Sequence, residues 1–183
     1  MNIKKVSARL NRKGFSLTEM LLAMLILLMV TSVAAGGIPL AVRAYNQVVE
    51  ASNAQVLLST TIIRLRDELG KATDFEIVAN TQISFHNIDG AMSVIRLKSD
   101  TDQDGPGIYL ERYGYKDDGT EELKGTQLLV SKQAANENLY VKYDAITHDN
   151  AAVTFTGFSV MNEQGRNLAS EPLTIRTMAD MFS

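Results

Sequence analysis

Between Glu19 and Arg43 the chain runs for 23 residues, Met20 to Val42, without one charged side chain. As an α-helix rising about 1.5 Å per residue, such a run is about 35 Å long and matches a hydrocarbon core about 30 Å thick. A helix satisfies all of its own backbone donors and acceptors, which lipid cannot do, so the run predicts one membrane-spanning helix. Gly36, Gly37 and Pro39 lie inside it. In water that trio breaks helices, whereas in a membrane or a helix bundle neighbours re-satisfy the freed carbonyls. A kink or a locally loosened stretch is expected there.

Charge is distributed unevenly about this run. Residues 1–14 contain Lys4, Lys5, Arg9, Arg12 and Lys13 and no acid. They take five of the 18 Lys and Arg and none of the 21 Asp and Glu, so the rest of the chain is −8. A basic tip before an apolar span places the N-terminus in the cytoplasm and everything after Val42 outside. The acidic remainder argues against nucleic acid as a partner of the head domain. With no Cys, a disulfide scaffold, a thiolate metal site and a thiol nucleophile are excluded, and two His leave little for a zinc site or a His-dependent triad.

Helical spacing continues beyond the span. Val42, Val49, Val56 and Ile63 recur every seven residues with Tyr45 between the first two; Leu58, Ile62, Leu65 and Leu69 follow at helical intervals, and Gly70 is a natural stop. One helix from about Ser16 to Leu69, about 80 Å long, is predicted, apolar all round at first and then amphipathic, with the second stripe packed on the protein's own sheet. From Lys71 the period becomes two. Strands are predicted at Phe75–Val78, Gln82–His86, Met92–Leu97, Ile108–Tyr115, Gln127–Ser131, Leu139–Tyr143, Ala152–Val160 and Leu173–Thr177, with turns at Asp89-Gly90, Asp104-Gly105, Asp118-Gly119 and Asn162 to Gly165. The apolar phase slips at Gly157, which predicts a β-bulge. Short strands with short turns pair antiparallel, so the fold class is α+β: one long helix packed on an antiparallel sheet. The predicted organisation is a basic leader (1–14), a helix (15–70, with 20–42 in the membrane and 43–70 amphipathic) and a sheet head (71–183).

At the mouth of the span stands Gly14-Phe15-Ser16-Leu17-Thr18-Glu19. Ser16-x-x-Glu19 is a capping box that starts a helix. The basic and apolar regions also admit an ordinary secretory signal, with the small-residue site Ser32-Val33-Ala34 before Ala35 releasing a soluble binding module. A simple membrane-anchored ectodomain is the other alternative. An acid at the lip of an uncharged span, however, calls for a partner and a purpose. Lys13 to Glu19, followed by Met20-Leu21-Leu22-Ala23, closely resembles the class III signal of type IV prepilins and pseudopilins. The resemblance implies a membrane aspartyl peptidase that cuts after Gly14 and methylates Phe15. It implies that Glu19 pairs with the N-terminal amine of an adjacent subunit as helices bundle into a filament. It implies also a Pro-containing first helix packed on an antiparallel sheet, although Pro39 lies a little later than in the commonest pilins. Expected partners are thus the membrane, the prepilin peptidase and other pilin subunits, in a pilus or in a pseudopilus of a secretion or DNA-uptake machine. Cleavage after Gly14 would remove all five basic side chains and leave one amine, whose pairing with Glu19 at low dielectric selects for register.

In the head, Asp100, Asp102, Asp104, Gly105 and Glu111 satisfy D-x-[DN]-x-[DN]-G-x5-E, a calcium-loop pattern in which Pro106 still offers a carbonyl. The flanks read as strands rather than as the helices of an EF-hand, and an acidic, solvated hairpin turn is the competing reading. Tyr109, Tyr113, Tyr115, Tyr140 and Tyr143 suggest either a stacking face or cross-strand packing. His86 is read as structural and His148 as solvated. No cofactor is required, and no spacing of nucleophile, base and acid suggests an enzyme.

Overall fold

The computed structural model describes residues 15–98, 103, 105–130, 138–149 and 152–177. Two compact units divide at Asn46/Gln47. A single helix, α1 (Leu17–Leu69, 53 residues), contributes to both.

In the first unit the described chain is helix. Its Leu, Met and Ala content is what straight-chain helix formers supply, and helical structure runs unbroken through Gly36, Gly37 and Pro39 where a loosened stretch was expected. Thr31 hides its polarity by donating its hydroxyl to the carbonyls of Leu27 at 2.9 Å and Leu28 at 3.1 Å. Every side chain here is exposed, Leu28 to 69%. The helix is long and apolar enough to cross a membrane.

In the second unit α1 becomes two-faced. Ala54, Leu57, Leu58, Thr61, Ile62, Leu65 and Leu69 are buried, the i, i+3, i+4, i+7 set of an amphipathic helix. It ends at Gly70, whose N–H donates to the Arg66 carbonyl at 2.9 Å and where a Cβ would lie 2.5 Å from that oxygen. Among the described residues eleven strands follow: β1 (Thr73–Ala79), β2 (Gln82–His86), β3 (Met92–Lys98), β4 (Gly107–Tyr115), β5 (Glu121–Leu128), β6 (Leu139–Lys142), β7 (Ala145–Asp149), β8 (Ala152–Thr156), β9 (Ser159–Asn162), β10 (Asn167–Ser170) and β11 (Leu173–Arg176). They form three antiparallel sheets, in the orders β1-β2-β3-β4-β5, β10-β9-β6 and β11-β8-β7. The helix face joins Ile83, Phe85, Ile95 and Leu110 of the first sheet, Val141 and Val160 of the second, and Val153, Phe155 and Ile175 of the third in one core.

The α+β reading holds, with three corrections. The single expected sheet is three. The run expected as one bulged strand, Ala152–Val160, is two strands in different sheets, broken at Gly157 with φ of +66°. A Cβ there would collide with the Asp144 carboxylate in its present position, and the left-handed φ favours glycine where the chain changes sheets. The strand expected at Gln127–Ser131 is instead Glu121–Leu128, with Ser131 outside the described residues, and β7 and β10 were not foreseen.

Candidate functional site: the head of the apolar helix

Gly14 and the basic leader lie outside the described residues. Phe15 is 80% exposed. From Ser16 the helix starts by the expected reciprocal cap: the Ser16 N–H donates to Glu19 Oε2 at 2.9 Å, and the Glu19 N–H donates to Ser16 Oγ at 3.3 Å. The hydroxyls of Ser16 and Thr18 are 2.9 Å apart. Two of the orphan donors of the first turn are thereby satisfied, and the carboxylate is folded back toward Phe15. Among the described residues Glu19 has no cationic partner.

Sequence reasoning missed the devices that tie α1 to the sheets within the second unit. Glu50 Oε1 accepts from Asn162 Nδ2 at 2.9 Å and Oε2 from Arg166 Nη2 at 2.6 Å, while Asn162 Oδ1 accepts the Arg166 N–H at 2.9 Å. Nearer the helix end, Arg112 Nη2 donates to Glu68 Oε1 at 3.0 Å. These partners stand 116, 112 and 44 positions apart, and no local pattern announces such pairs.

Of the calcium-loop residues, Asp100, Asp102 and Asp104 lie outside the described residues. Pro106 precedes β4, and Glu111 lies within it, about 13 Å along the strand from Gly107. The Glu111 side chain is nearly buried, 3.5 Å from Arg96 Nη2, and accepts from the Tyr113 hydroxyl at 3.4 Å. Burial and this carboxylate push the Tyr113 phenol above its usual range. The structure therefore gives Glu111 partners of its own within β3 and β4. The flanks are strands, as expected.

Tyr109, Glu111, Tyr113 and Tyr115 occupy every second position of β4, and the Lys98 ammonium lies 4.6 Å from the Tyr109 ring centroid. Tyr140 is on β6, while Tyr143 is in the core, its hydroxyl donating to the Thr81 carbonyl at 2.8 Å. His86 is half-buried on β2 as expected. His148 is not solvated: it is half-buried on β7, with its ring 4.9 Å from that of Phe75. A cavity of about 360 Å³ beside Leu57 and Thr61 has walls mainly of Leu, Ile and Val, with Glu163 the one charged lining residue among the described residues.

A long apolar helix with a capped, acid-bearing start, on an antiparallel β-domain, defines an α+β protein whose N-terminal segment is fit for a membrane. Residues 9–35 match the family model described as the prokaryotic N-terminal methylation motif, so the chain carries a type IV prepilin-type signal. Together with the helix, this signal supports a type IV pilin-like secreted subunit, and it implies processing by a prepilin peptidase and assembly with other pilins. No curated protein and no solved structure matches the chain.

Proposed function

We propose that this chain is a structural subunit of a type IV pilus or a related pseudopilus, and that it is not an enzyme. It is cut between Gly14 and Phe15, methylated at Phe15, held by one helix with the leader in the cytoplasm and the head outside, and drawn into a filament by helix packing. Glu19 then pairs across subunits with the new N-terminal amine. The observation that carries this reading is that one apolar stripe continues on the exposed side of the helix, among polar neighbours, beyond the 23 residues a membrane needs. Val48, Val49, Val56 and Ile63 are all exposed. Ser59 and Thr60 fold their hydroxyls onto the Gln55 and Val56 carbonyls at 2.9 and 2.7 Å, which makes that side less polar still. An anchor alone does not call for an apolar stripe above the lipid; a bundle of like helices does.

Intact-mass measurement on protein from its own host tests the proposal. The expected result is loss of residues 1–14 and gain of one methyl group. A mature chain beginning at Ala35 identifies a secreted module, and a retained leader identifies a simple anchor; either overturns the reading.

A further inference from the structure

Residues 15–49 contain two charged side chains, Glu19 and Arg43, one at each end of the uncharged run. Both are exposed, and neither has an ion-pair partner among the described residues. The next charge, Glu50, is already engaged by Arg166 and Asn162. Glu19 uses Oε2 on its own Ser16 N–H, and Oε1 has no partner among the described residues. The two charges are opposite in sign and 24 residues apart on continuous helix, about 36 Å by the helical rise.

We propose that Arg43 of one copy pairs with Glu19 of a second copy displaced outward along the helix axis by about 36 Å, and that this pair sets an axial stagger between subunits. The inference rests on the assembly reading above and adds a second partner for Glu19 beside the N-terminal amine. Its physical basis is the match between that spacing and the thickness of the bilayer. A subunit raised by one membrane thickness carries Glu19 from the inner lip to the outer lip. A neighbour still at membrane depth holds its Arg43 at that outer level. The acid thus ends its passage beside a guanidinium as well as the amine, in a low-dielectric bundle where an incompletely paired charge is unfavourable. In-register helices would instead set Glu19 against Glu19 and Arg43 against Arg43.

The chain has no Cys, so introduced cysteines report only on themselves. Full-length Met20→Cys and Ala44→Cys chains, co-expressed in the native host and oxidised in sheared filaments, should give the 20–44 disulfide. Met20→Cys alone, and Met20→Cys with Ser32→Cys, should give little. Arg43→Gln should lower incorporation at least about tenfold, as expected of a stranded buried carboxylate, while Arg43→Lys should retain most of it. Filaments that contain the chain but link 20–20 or 20–32 overturn the stagger and leave the pilin reading intact. Normal incorporation of Arg43→Gln shows that Arg43 serves only a lipid headgroup, and overturns the pairing. Absence of the wild-type chain from every filament overturns the pilin reading and this inference with it.

Discussion

The two halves of α1 obey different rules. Residues 17–46 are exposed on every side and hold almost nothing but apolar side chains, whereas residues 47–69 bury one face and charge much of the rest. The first half has the length and composition of a helix that would satisfy its own backbone in lipid; the second is a helix because the sheets reward one stripe of it. Identical residue types consequently have different meanings. Leu27 is exposed, whereas Leu65, at 0% exposure, is the centre of a core.

The sharpest way to break this comparison is the same substitution in both halves. Leu65→Ala should destabilise the head by about 2–5 kcal/mol, since it deletes packed methyl groups and leaves a cavity. Leu27→Ala should leave thermal unfolding of the head unchanged. Equal effects in denaturant titrations would mean that the halves are not distinct.

The acids provide a second contrast. Glu50→Ala strands Asn162 and Arg166 against the helix and should cost the head about 1–3 kcal/mol in chemical denaturation. Glu19→Ala should leave the head melting normally and the chain in the membrane, yet reduce its recovery in filaments. Full incorporation of Glu19→Ala would remove the assembly role from the first half.

Alkaline titration separates the halves by titratable burial. Tyr143 is held in the core, and burial pushes its phenol above the ordinary value of 10. A raised folded value means that the contribution to stability is complete below pH 10 and is lost as pH rises above it. The head should unfold more readily in strong base, and Tyr143→Phe should flatten that limb of the pH profile.

The smallest effect expected is that of calcium. We propose that Asp100, Asp102, Asp104 and Glu111, with the Pro106 carbonyl, hold a calcium ion weakly. At ten times the dissociation constant, binding to the folded state adds about 1.4 kcal/mol. Melting of residues 47–183 should rise in millimolar calcium over chelator, less so in magnesium, and Asp102→Ala should abolish the difference. An unchanged melting temperature and a flat calorimetric titration would leave the loop as an acidic turn.

The strands that escaped sequence reasoning share one property. The full β5, β7 and β10 are each at the edge of a sheet. An edge strand needs no continuous apolar face, and Glu121, Glu122 and Lys124 on β5 are the charges that discourage further pairing. Central strands such as β2 and β4 bury residues from both sides, so their continuous apolar runs were legible to within a residue. Gly157 was legible as a break in phase but not as a change of sheet, because a one-residue slip looks the same locally in both cases.

What the sequence determines by itself is whatever depends on neighbours along the chain. The uncharged span, the helix from its capping box to Gly70, the Gly14-Phe15-Glu19 signal and the antiparallel class all rest on contacts within a few residues. What only the tertiary structure decided is which residues far apart in the chain meet: three sheets rather than one, Glu50 clamped to Asn162 and Arg166, Glu111 claimed by Arg96, and His148 stacked on Phe75. The reason is physical. Local spacing fixes the face on which a side chain lies, but its partner there is chosen by the packing of elements brought together only when the core closes.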